Sequence, residues 1–168
     1  LMQVLDGHLH VEDIDELLET LDEVADETET TVQAFDADYV VSEAHLGRAL
    51  ERADRAIARG ENVARDRAVE ILCYAAGRRQ INRALEMGLT EGENRVVLLV
   101  DSPTGDGAAE QAALDRLREY IDEDAVLGEY DEATVRSFFD IGDAELGAVE
   151  GSLPDLVLER VALLDVEK

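Results

Sequence analysis

The run Arg95-Val96-Val97-Leu98-Leu99-Val100-Asp101 is the clearest candidate for a buried strand, with five aliphatic residues between two charged ones. A short aliphatic run that is bounded by charges and followed by turn-forming residues, here Ser102-Pro103, is typical of a strand covered on both faces. Such a strand needs partner strands and covering helices. The run therefore predicts a β-sheet at the centre of the fold, and the other elements are assigned around it.

Partner strands are expected where apolar and polar residues alternate or where β-branched and aromatic residues cluster. The predicted strand segments are 4–11, 31–35, 125–130 and 161–166. The first two precede the central run in the chain and the last two follow it. These segments are enough for a small sheet.

Helices are expected where apolar residues recur every three or four positions behind a capping residue. Asp13 and Ser42 are the predicted N-caps of the first two helices, and Gly60, Gly77 and Gly88 stand where left-handed C-caps are expected. The other predicted helices cover 63–76, 78–87, 108–121, 132–139 and 155–160. Strands and helices interleave irregularly, with three helices in succession. The pattern predicts an α/β (α+β) fold, a small mixed and mainly antiparallel sheet packed with helices, in a single domain over residues 1–168.

The composition is strongly acidic, with 41 Asp and Glu against 15 Lys and Arg, for a net charge of −26. The only lysine is Lys168, so arginine supplies nearly all the positive charge. Acid enrichment of this kind is typical of a halophilic surface, because molar salt shortens the Debye length to about 3 Å and damps self-repulsion. A lone Cys73 and the lack of an 18-residue apolar run favour a reducing cytoplasm and no membrane partner.

Arginines are concentrated in one part of this acidic chain. Nine of the fourteen lie between Arg48 and Arg83, a segment of net charge +4, while the remaining 132 residues carry −30. At about 100° per residue, four of them share one helical face within roughly 60°. These four are Arg48, Arg52, Arg55 and Arg59. Charge alone leaves two interpretations open: a surface for a polyanion, or a set of partners for the chain's own carboxylates.

The most distinctive part of this arginine-rich segment (residues 48–83) is the predicted helix boundary at Gly77-Arg78-Arg79-Gln80-Ile81. Two guanidinium groups and an amide beside free backbone N–H groups suit phosphate and base recognition, and Ile81 adds an apolar contact for a base. Glu70 lies in an apolar helix, so we expect an arginine of the segment to pair with it. In molar salt, RNA contacts would need stacking and shape as well as charge.

Catalytic and metal-binding patterns are incomplete. His8 and His10 share a strand face, but no third ligand lies nearby and His45 is the only other histidine. The loop 102–107 joins a strand to a helix without the Gly-Lys-Ser/Thr sequence of a phosphate-binding loop. We therefore expect no catalytic residues, no metal and no cofactor. A small ligand- or metal-binding enzyme domain is the alternative.

Three blocks of sequence resemble the TPRKB family, the small kinase-associated subunit of the KEOPS complex, in its archaeal form. They are Phe35-Asp36-Ala37-Asp38-Tyr39-Val40-Val41, Tyr74-Ala75-Ala76-Gly77-Arg78-Arg79-Gln80-Ile81 with the preceding Glu70-Ile71-Leu72, and Leu158-Glu159-Arg160-Val161-Ala162-Leu163-Leu164. Their order and spacing span nearly the whole chain, and the middle block is the most specific. The segment 105–151 matches the family poorly.

The resemblance implies a non-catalytic subunit that binds and stimulates the small kinase/ATPase subunit and recruits tRNA by its 3′ CCA end. It would thereby serve the transferase subunit that places threonylcarbamoyl on adenosine 37 of tRNA. The implied tRNA-facing residues are Asn62, Arg65, Arg78, Arg79, Gln80 and Ile81, with Arg48, Arg52, Arg55 and Arg59 as weaker additions. For the kinase contact we expect Leu153, Leu156 and Val157. A structural adapter without RNA contact is the competing interpretation.

Overall fold

Four strands form one sheet in the order β2-β3-β1-β4 in the computed structural model, which describes residues 2–148 and 151–167. The strands are β1 (Gln3–Val11), β2 (Thr31–Asp36), β3 (Gly92–Asp101) and β4 (Asp122–Glu123). All three pairings between them are antiparallel. The predicted buried strand is the core of β3, which pairs with β1 on one side and β2 on the other. The α+β class is confirmed.

The helices of the described residues vary from one turn to nearly five. They are α1 (Ile14–Thr28), α2 (Glu43–Arg59), α3 (Arg67–Ala76), α4 (Ile81–Ala84), α5 (Gly107–Leu117), α6 (Glu132–Phe138), α7 (Asp143–Ala148) and α8 (Leu153–Glu167). Short 3₁₀ turns cover Ala37–Tyr39 and Leu85–Met87. Asp13 and Ser42 accept backbone N–H groups as the predicted N-caps, and Gly60 and Gly77 are left-handed C-caps.

Several predicted elements are wrong. The segment 161–166 is not a strand but the last part of α8, and 125–130 forms no strand. The helix predicted over 78–87 is one turn of α-helix followed by a 3₁₀ turn, and Gly88 is outside the left-handed region. The helix predicted from Val63 begins at Arg67, because Asp66 caps it there.

The chain divides into two compact units, and each is described by itself. The sheet unit comprises 1–36 and 88–126, and the helical unit comprises 37–87 and 127–168. The single domain over residues 1–168 stays a prediction. Within residues 2–148 and 151–167, no helix has both the length and the hydropathy needed to cross a bilayer.

In the sheet unit, α1 and α5 supply apolar residues to a core with one face of the sheet. This core is formed by Leu5, Leu9, Val11, Leu21, Val24, Val32, Ala34, Val96, Leu98, Val100, Ala113, Leu114, Leu117 and Ile121. Gly7 is needed where β1 meets β4, because a Cβ there would lie 2.2 Å from the Asp122 carbonyl oxygen. On the other face of the sheet, Phe35, Val97 and Leu99 are also fully buried, so the central strand is covered on both faces as its sequence predicts.

In the helical unit, α2 and α3 run antiparallel and α8 packs against both. His45 near the start of α2 contacts Ala75 near the end of α3, and Asp54 contacts Arg67 at the other end. Small residues on α2 allow this close approach, since Ala49 and Ala53 are fully buried. The helix pair fixes the positions of both loops that carry the predicted tRNA-facing residues.

Candidate functional site

The predicted tRNA-facing residues lie at two ends of one helix. Asn62 and Arg65 belong to the loop before α3, whereas Arg78 to Ile81 follow its C-terminus. Ten helical residues span about 15 Å, so the structure does not bring the two groups into a single cluster. The candidate site is therefore an elongated surface with an N-terminal and a C-terminal end.

At the N-terminal end, the loop 61–66 is closed by a buried carboxylate. Oε1 of Glu70 accepts hydrogen bonds from the backbone N–H groups of Val63 at 3.0 Å and Ala64 at 2.9 Å. The Asn62 amide donates to the Ala64 carbonyl at 2.8 Å. Two backbone N–H groups thus donate hydrogen bonds to the buried Glu70 carboxylate. The ion pair between Glu70 and an arginine of the segment stays a prediction. The Arg65 side chain is exposed from this ordered loop.

At the C-terminal end, Gly77 turns the chain out of α3 with φ of 62°, and the next residue points back towards α6. The Arg78 guanidinium donates to the Phe138 carbonyl and lies 5.0 Å from the centre of the Phe138 ring. Its Nη2 is 4.0 Å from the Asp140 carboxylate. Arg78 Nε is buried without a hydrogen-bond partner among the described residues. Arg78 is thus held by packing, with donor capacity remaining.

The three residues after Arg78 face solvent. Arg79, Gln80 and Ile81 are all exposed, and Ile81 keeps 39% of its surface. Gln80 precedes α4 without capping it through its side chain. Because α4 is a single turn, its dipole adds little, and the chemistry here comes from the side chains. A cationic, an amide and an aliphatic side chain therefore lie next to each other on the surface.

The arginine face of α2 is only partly available. Arg48, Arg55 and Arg59 are not buried, but Arg52 pairs with Asp165 of α8 at 2.7 Å. The same carboxylate accepts a hydrogen bond from Tyr74, whose pKa is raised by burial and by this acceptor. Arg55 lies a longer 3.8 Å from Glu51 on its own helix.

The other arginines of the segment also divide into paired and unpaired ones. Arg67 forms a two-pronged pair with Asp54 at 2.8 and 2.9 Å. Four others form no ion pair with the described side chains, which are those of residues 2–148 and 151–166. These are Arg48, Arg59, Arg65 and Arg83. The arginine-rich segment therefore contains both internally paired and unpaired arginines.

A cavity of about 150 Å³ opens beside the C-terminal end of the surface. It is lined by Ala76, Gly77, Arg78, Phe139, Asp140, Arg160 and Leu163. Sequence reasoning missed the last four of these as site residues. They are about 60 or more positions away from Arg78, and only the block around Arg160 gave any signal.

Arg160 holds the turn that forms one side of this cavity. Its guanidinium donates to the carbonyls of Phe139 at 3.0 Å and Asp140 at 3.1 Å. Two further bonds, of 2.8 and 2.6 Å, go to the Glu145 carboxylate. The pair lowers the pKa of Glu145 and raises that of Arg160. The turn is fixed with Asp140 in the left-handed region, at φ of 54°, which Asp tolerates.

The residues expected to contact a kinase are buried in the helical unit. Leu153, Leu156 and Val157 keep 6%, 2% and 0% of their surfaces, so they cannot contact a partner while α8 keeps this packing. On the same helix, Leu163 and Val166 are exposed, at 37% and 80%. The exposed apolar side chains of α8 thus lie nearer its C-terminus than the three residues predicted for the kinase contact.

His45 stabilises the α2–α3 pair from within. One imidazole nitrogen lies 2.8 Å from the Ala75 carbonyl oxygen, and the other accepts the Val41 N–H at 3.3 Å. Burial lowers the pKa of His45 to about 4, although the hydrogen bond to Ala75 raises it in part. A neutral ring donating to Ala75 satisfies both contacts. His45 is therefore occupied structurally.

The residues considered for metal or phosphate binding are engaged within the sheet unit. His8 bonds Asp124 at 2.9 Å and His10 bonds Glu93 at 2.6 Å. The hydrogen bond from His8 lowers the pKa of Asp124. The first N–H groups of α5 are capped by the Asp106 carboxylate, which would repel a phosphate. The described residues include no group of three or more His, Cys, Asp or Glu suited to a metal.

These features define an α+β protein whose most distinctive surface, the elongated one formed by the exposed residues at the two ends of α3, suits the binding of a macromolecule. The family model described as Kinase binding protein CGI-121 matches residues 9–165, and the chain belongs to this family. The resemblance to the TPRKB family is thereby confirmed. The family description names a kinase as the binding partner of its members. A search of curated protein sequences gives no match.

Proposed function

We propose that the chain is the non-catalytic KEOPS subunit that binds and stimulates the small kinase/ATPase subunit and recruits tRNA by its 3′ CCA end. In this role it serves the transfer of threonylcarbamoyl to adenosine 37 in the cytoplasm of a halophile. The proposal is supported by the exposed set of Arg65, Arg79, Gln80 and Ile81 at the two ends of α3, in an otherwise acidic chain of a kinase-binding family.

The chemistry of this surface favours a single-stranded RNA end over a duplex. A basic surface on a protein of net charge −26 cannot rely on long-range attraction, and molar salt removes most phosphate affinity. Unstacked bases offer flat apolar faces and free hydrogen-bonding edges. Ile81 supplies an apolar contact, Gln80 a donor and an acceptor, and Arg79 a planar group for stacking.

For the kinase contact, we propose the exposed C-terminal part of α8 in place of its buried start. Val166, in the last turn of α8, is the most exposed of the large apolar side chains described. An exposed apolar side chain suits a protein partner, because its burial drives association. The buried Leu153, Leu156 and Val157 would then support this helix from within.

The RNA role is tested by tRNA affinity at molar salt for Arg79→Glu and Ile81→Glu. Each substitution is expected to weaken binding about tenfold while the unfolding midpoint stays unchanged. Arg118→Glu is the matched control, because Arg118 is an exposed arginine of the sheet unit. Unchanged tRNA affinity in both test variants would remove the RNA role and leave kinase binding intact.

The kinase role is tested by pull-down from native cytoplasm at molar salt, with the partner identified by mass. Recovery of a small kinase-like protein together with tRNA is expected. Val166→Glu should lose the kinase-like protein, whereas Leu18→Glu, at an exposed leucine of α1, should retain it. If only Leu18→Glu lost the kinase-like protein, the kinase contact would lie on the sheet unit and not on α8.

A structural adapter without RNA contact is the second candidate, and the internal partners of Arg52, Arg67 and Arg78 favour it. Under that function, the segment's arginines serve stability only. Charge reversal at Arg65 or Arg79 would then lower the unfolding midpoint. The chain would recover the kinase-like protein in the pull-down but would bind no tRNA, with or without the substitution. The affinity and stability measurements above therefore separate the two candidates.

A further inference from the structure

The cavity beside Arg78 has the size of a single small ring. At about 150 Å³ it matches the cavity volume that accepts a benzene molecule in an engineered core. Its lining differs from such a core, because Phe139 and Leu163 alternate with charged side chains. The shape therefore suits a ring that has both apolar faces and polar substituents.

The charges around the cavity are balanced. Arg160 is already neutralised by Glu145 and also donates to two backbone carbonyls. The positive charge of Arg78 is opposed by Asp140, 4.0 Å away. A phosphate would meet the Asp140 carboxylate without a surplus of positive charge to hold it. The lining thus favours an uncharged ligand over an anion.

The Asp140 carboxylate is the most available acceptor at the cavity rim, with 83% of its side-chain surface exposed. Arg160 donates to two backbone carbonyls of the turn that carries Asp140, so the backbone of this turn is held at the cavity before any ligand arrives. A carboxylate with two oxygens is suited to vicinal hydroxyl groups, as in the acidic residue that holds a ribose diol in dinucleotide-binding folds. A ring-sized cavity with an accessible carboxylate at its rim suits a ribose.

We propose that this cavity holds the terminal ribose of the bound RNA, with Asp140 accepting hydrogen bonds from its free 2′,3′-diol. The inference rests on the proposed function, since the cavity adjoins the Arg78–Ile81 end of the RNA-binding surface. Arg78 forms the wall of the cavity, and Arg160 is a positioning residue. The site thereby recognises the chemical state of the 3′ terminus as well as the single strand before it.

Recognition of the diol has a consequence for which tRNA is bound. A 3′-phosphate would bring negative charge against Asp140, and an esterified terminus would lose one hydroxyl donor and add bulk. Both would bind less well than a free end. The protein would accordingly select mature tRNA that is not carrying an amino acid.

The test compares one short single-stranded RNA, ending in CCA, with three termini: a free diol, a 3′-phosphate and a 2′,3′-dideoxy end. The free diol is expected to bind about tenfold more tightly than either of the others. Asp140→Asn should reduce this preference, because an amide has a single acceptor oxygen. The fold should persist, since Asn also tolerates the left-handed backbone. Glu159→Gln, an equal change of charge at an exposed site on α8, should keep the preference.

Equal affinity for all three termini would overturn the ribose site and leave the proposed RNA role in place. A preference for the free diol that is unchanged in Asp140→Asn would also overturn it, because the carboxylate would then not be the group that distinguishes the termini. If no terminus binds at all, the proposed function fails together with this inference.

Discussion

The sheet unit and the helical unit each contain a loop closed by the same device. In both, an aspartate caps a helix, and a buried glutamate four residues later binds the backbone of the preceding loop. Asp66 and Glu70 do this in the helical unit, where Glu70 accepts two loop N–H groups. Asp106 and Glu110 do it in the sheet unit, where Glu110 accepts the Ser102 N–H at 2.8 Å.

The side chains that the two loops present nevertheless differ in one respect. Both loops expose their capping aspartate, Asp66 or Asp106, but only the loop of the helical unit also exposes an arginine, Arg65. The units as wholes differ in the same direction: the sheet unit carries 22 acidic and three basic residues, the helical unit 19 and 12. The backbone device therefore builds an ordered loop, while the exposed side chains decide what the loop can bind.

The largest expected effect comes from removing the two buried glutamates. Glu70→Ala leaves two loop N–H groups without their acceptor and should lower the free energy of unfolding by about 3 kcal/mol. Glu110→Ala should cost about 2 kcal/mol for the same reason. Denaturant unfolding measures both. At a temperature where both variants stay folded, only Glu70→Ala should weaken tRNA binding. Weaker tRNA binding by Glu110→Ala would contradict the functional difference between the two loops.

The free energy of unfolding should also depend on pH, by a similar amount, through His45 of the helical unit. The unfolded chain binds a proton at His45 near pH 6.5, but burial lowers the pKa of the folded state to about 4. The unfolded state therefore binds more protons between these values, so stability is full above pH 6.5 and falls towards pH 4. The total loss should be on the order of 3 kcal/mol.

Unfolding free energies measured from about pH 4 to about pH 7 check this expectation. His45→Gln should flatten the curve relative to the wild type. The double substitution His8→Gln and His10→Gln is the control, because these histidines are exposed on the sheet unit. An unchanged slope in His45→Gln would show that the ring does not titrate as the burial implies.

An exchange of charge between the two loops should have a smaller effect. Arg65→Glu is expected to weaken tRNA binding at molar salt by about tenfold, because the loop loses its cation and gains a repulsive charge. Thr104→Arg places an arginine on the equivalent loop of the sheet unit and should not improve binding. A gain of affinity in the second variant would mean that any basic loop suffices. Titration with labelled tRNA measures both.

The smallest effect is expected at the strand histidines of the sheet unit. Replacing His8 and His10 together by Ala should leave the unfolding midpoint at about pH 8 unchanged, since both pairs are exposed. Added Zn²⁺ should not raise the midpoint of the wild type. A zinc-dependent rise that the double variant lacks would restore the metal-site hypothesis.

Much of the fold follows from local signals in the sequence. The Asp13 and Ser42 caps, the left-handed Gly60 and Gly77, and the central strand are each specified by a few adjacent residues. The segment 161–166 is the exception, because its β-branched and leucine residues favour a strand locally although it belongs to α8. The buried positions of that helix, Leu156, Val157, Val161 and Leu164, follow helical spacing.

The candidate site was predictable only in its linear part. The exposed Arg79, Gln80 and Ile81 form a contiguous run, which the sequence and the family resemblance both select. Asp140 does not stand out in the sequence, and Arg160 does so only through the third resemblance block, because the contacts that bring them to Arg78 are long-range and depend on α6 and α8. The sequence likewise did not reveal that the predicted tRNA-facing residues lie at opposite ends of α3, since a sequence does not show which helix ends share a surface.

Binding of the single-stranded 3′ end of tRNA by the arginine-bearing helical unit is the central claim. The most direct test is the affinity of the purified chain, at molar salt, for one tRNA with its 3′ tail intact and for the same tRNA with the tail removed. We predict that removal of the tail weakens binding at least about tenfold. Equal affinities for the two tRNAs would contradict the claim.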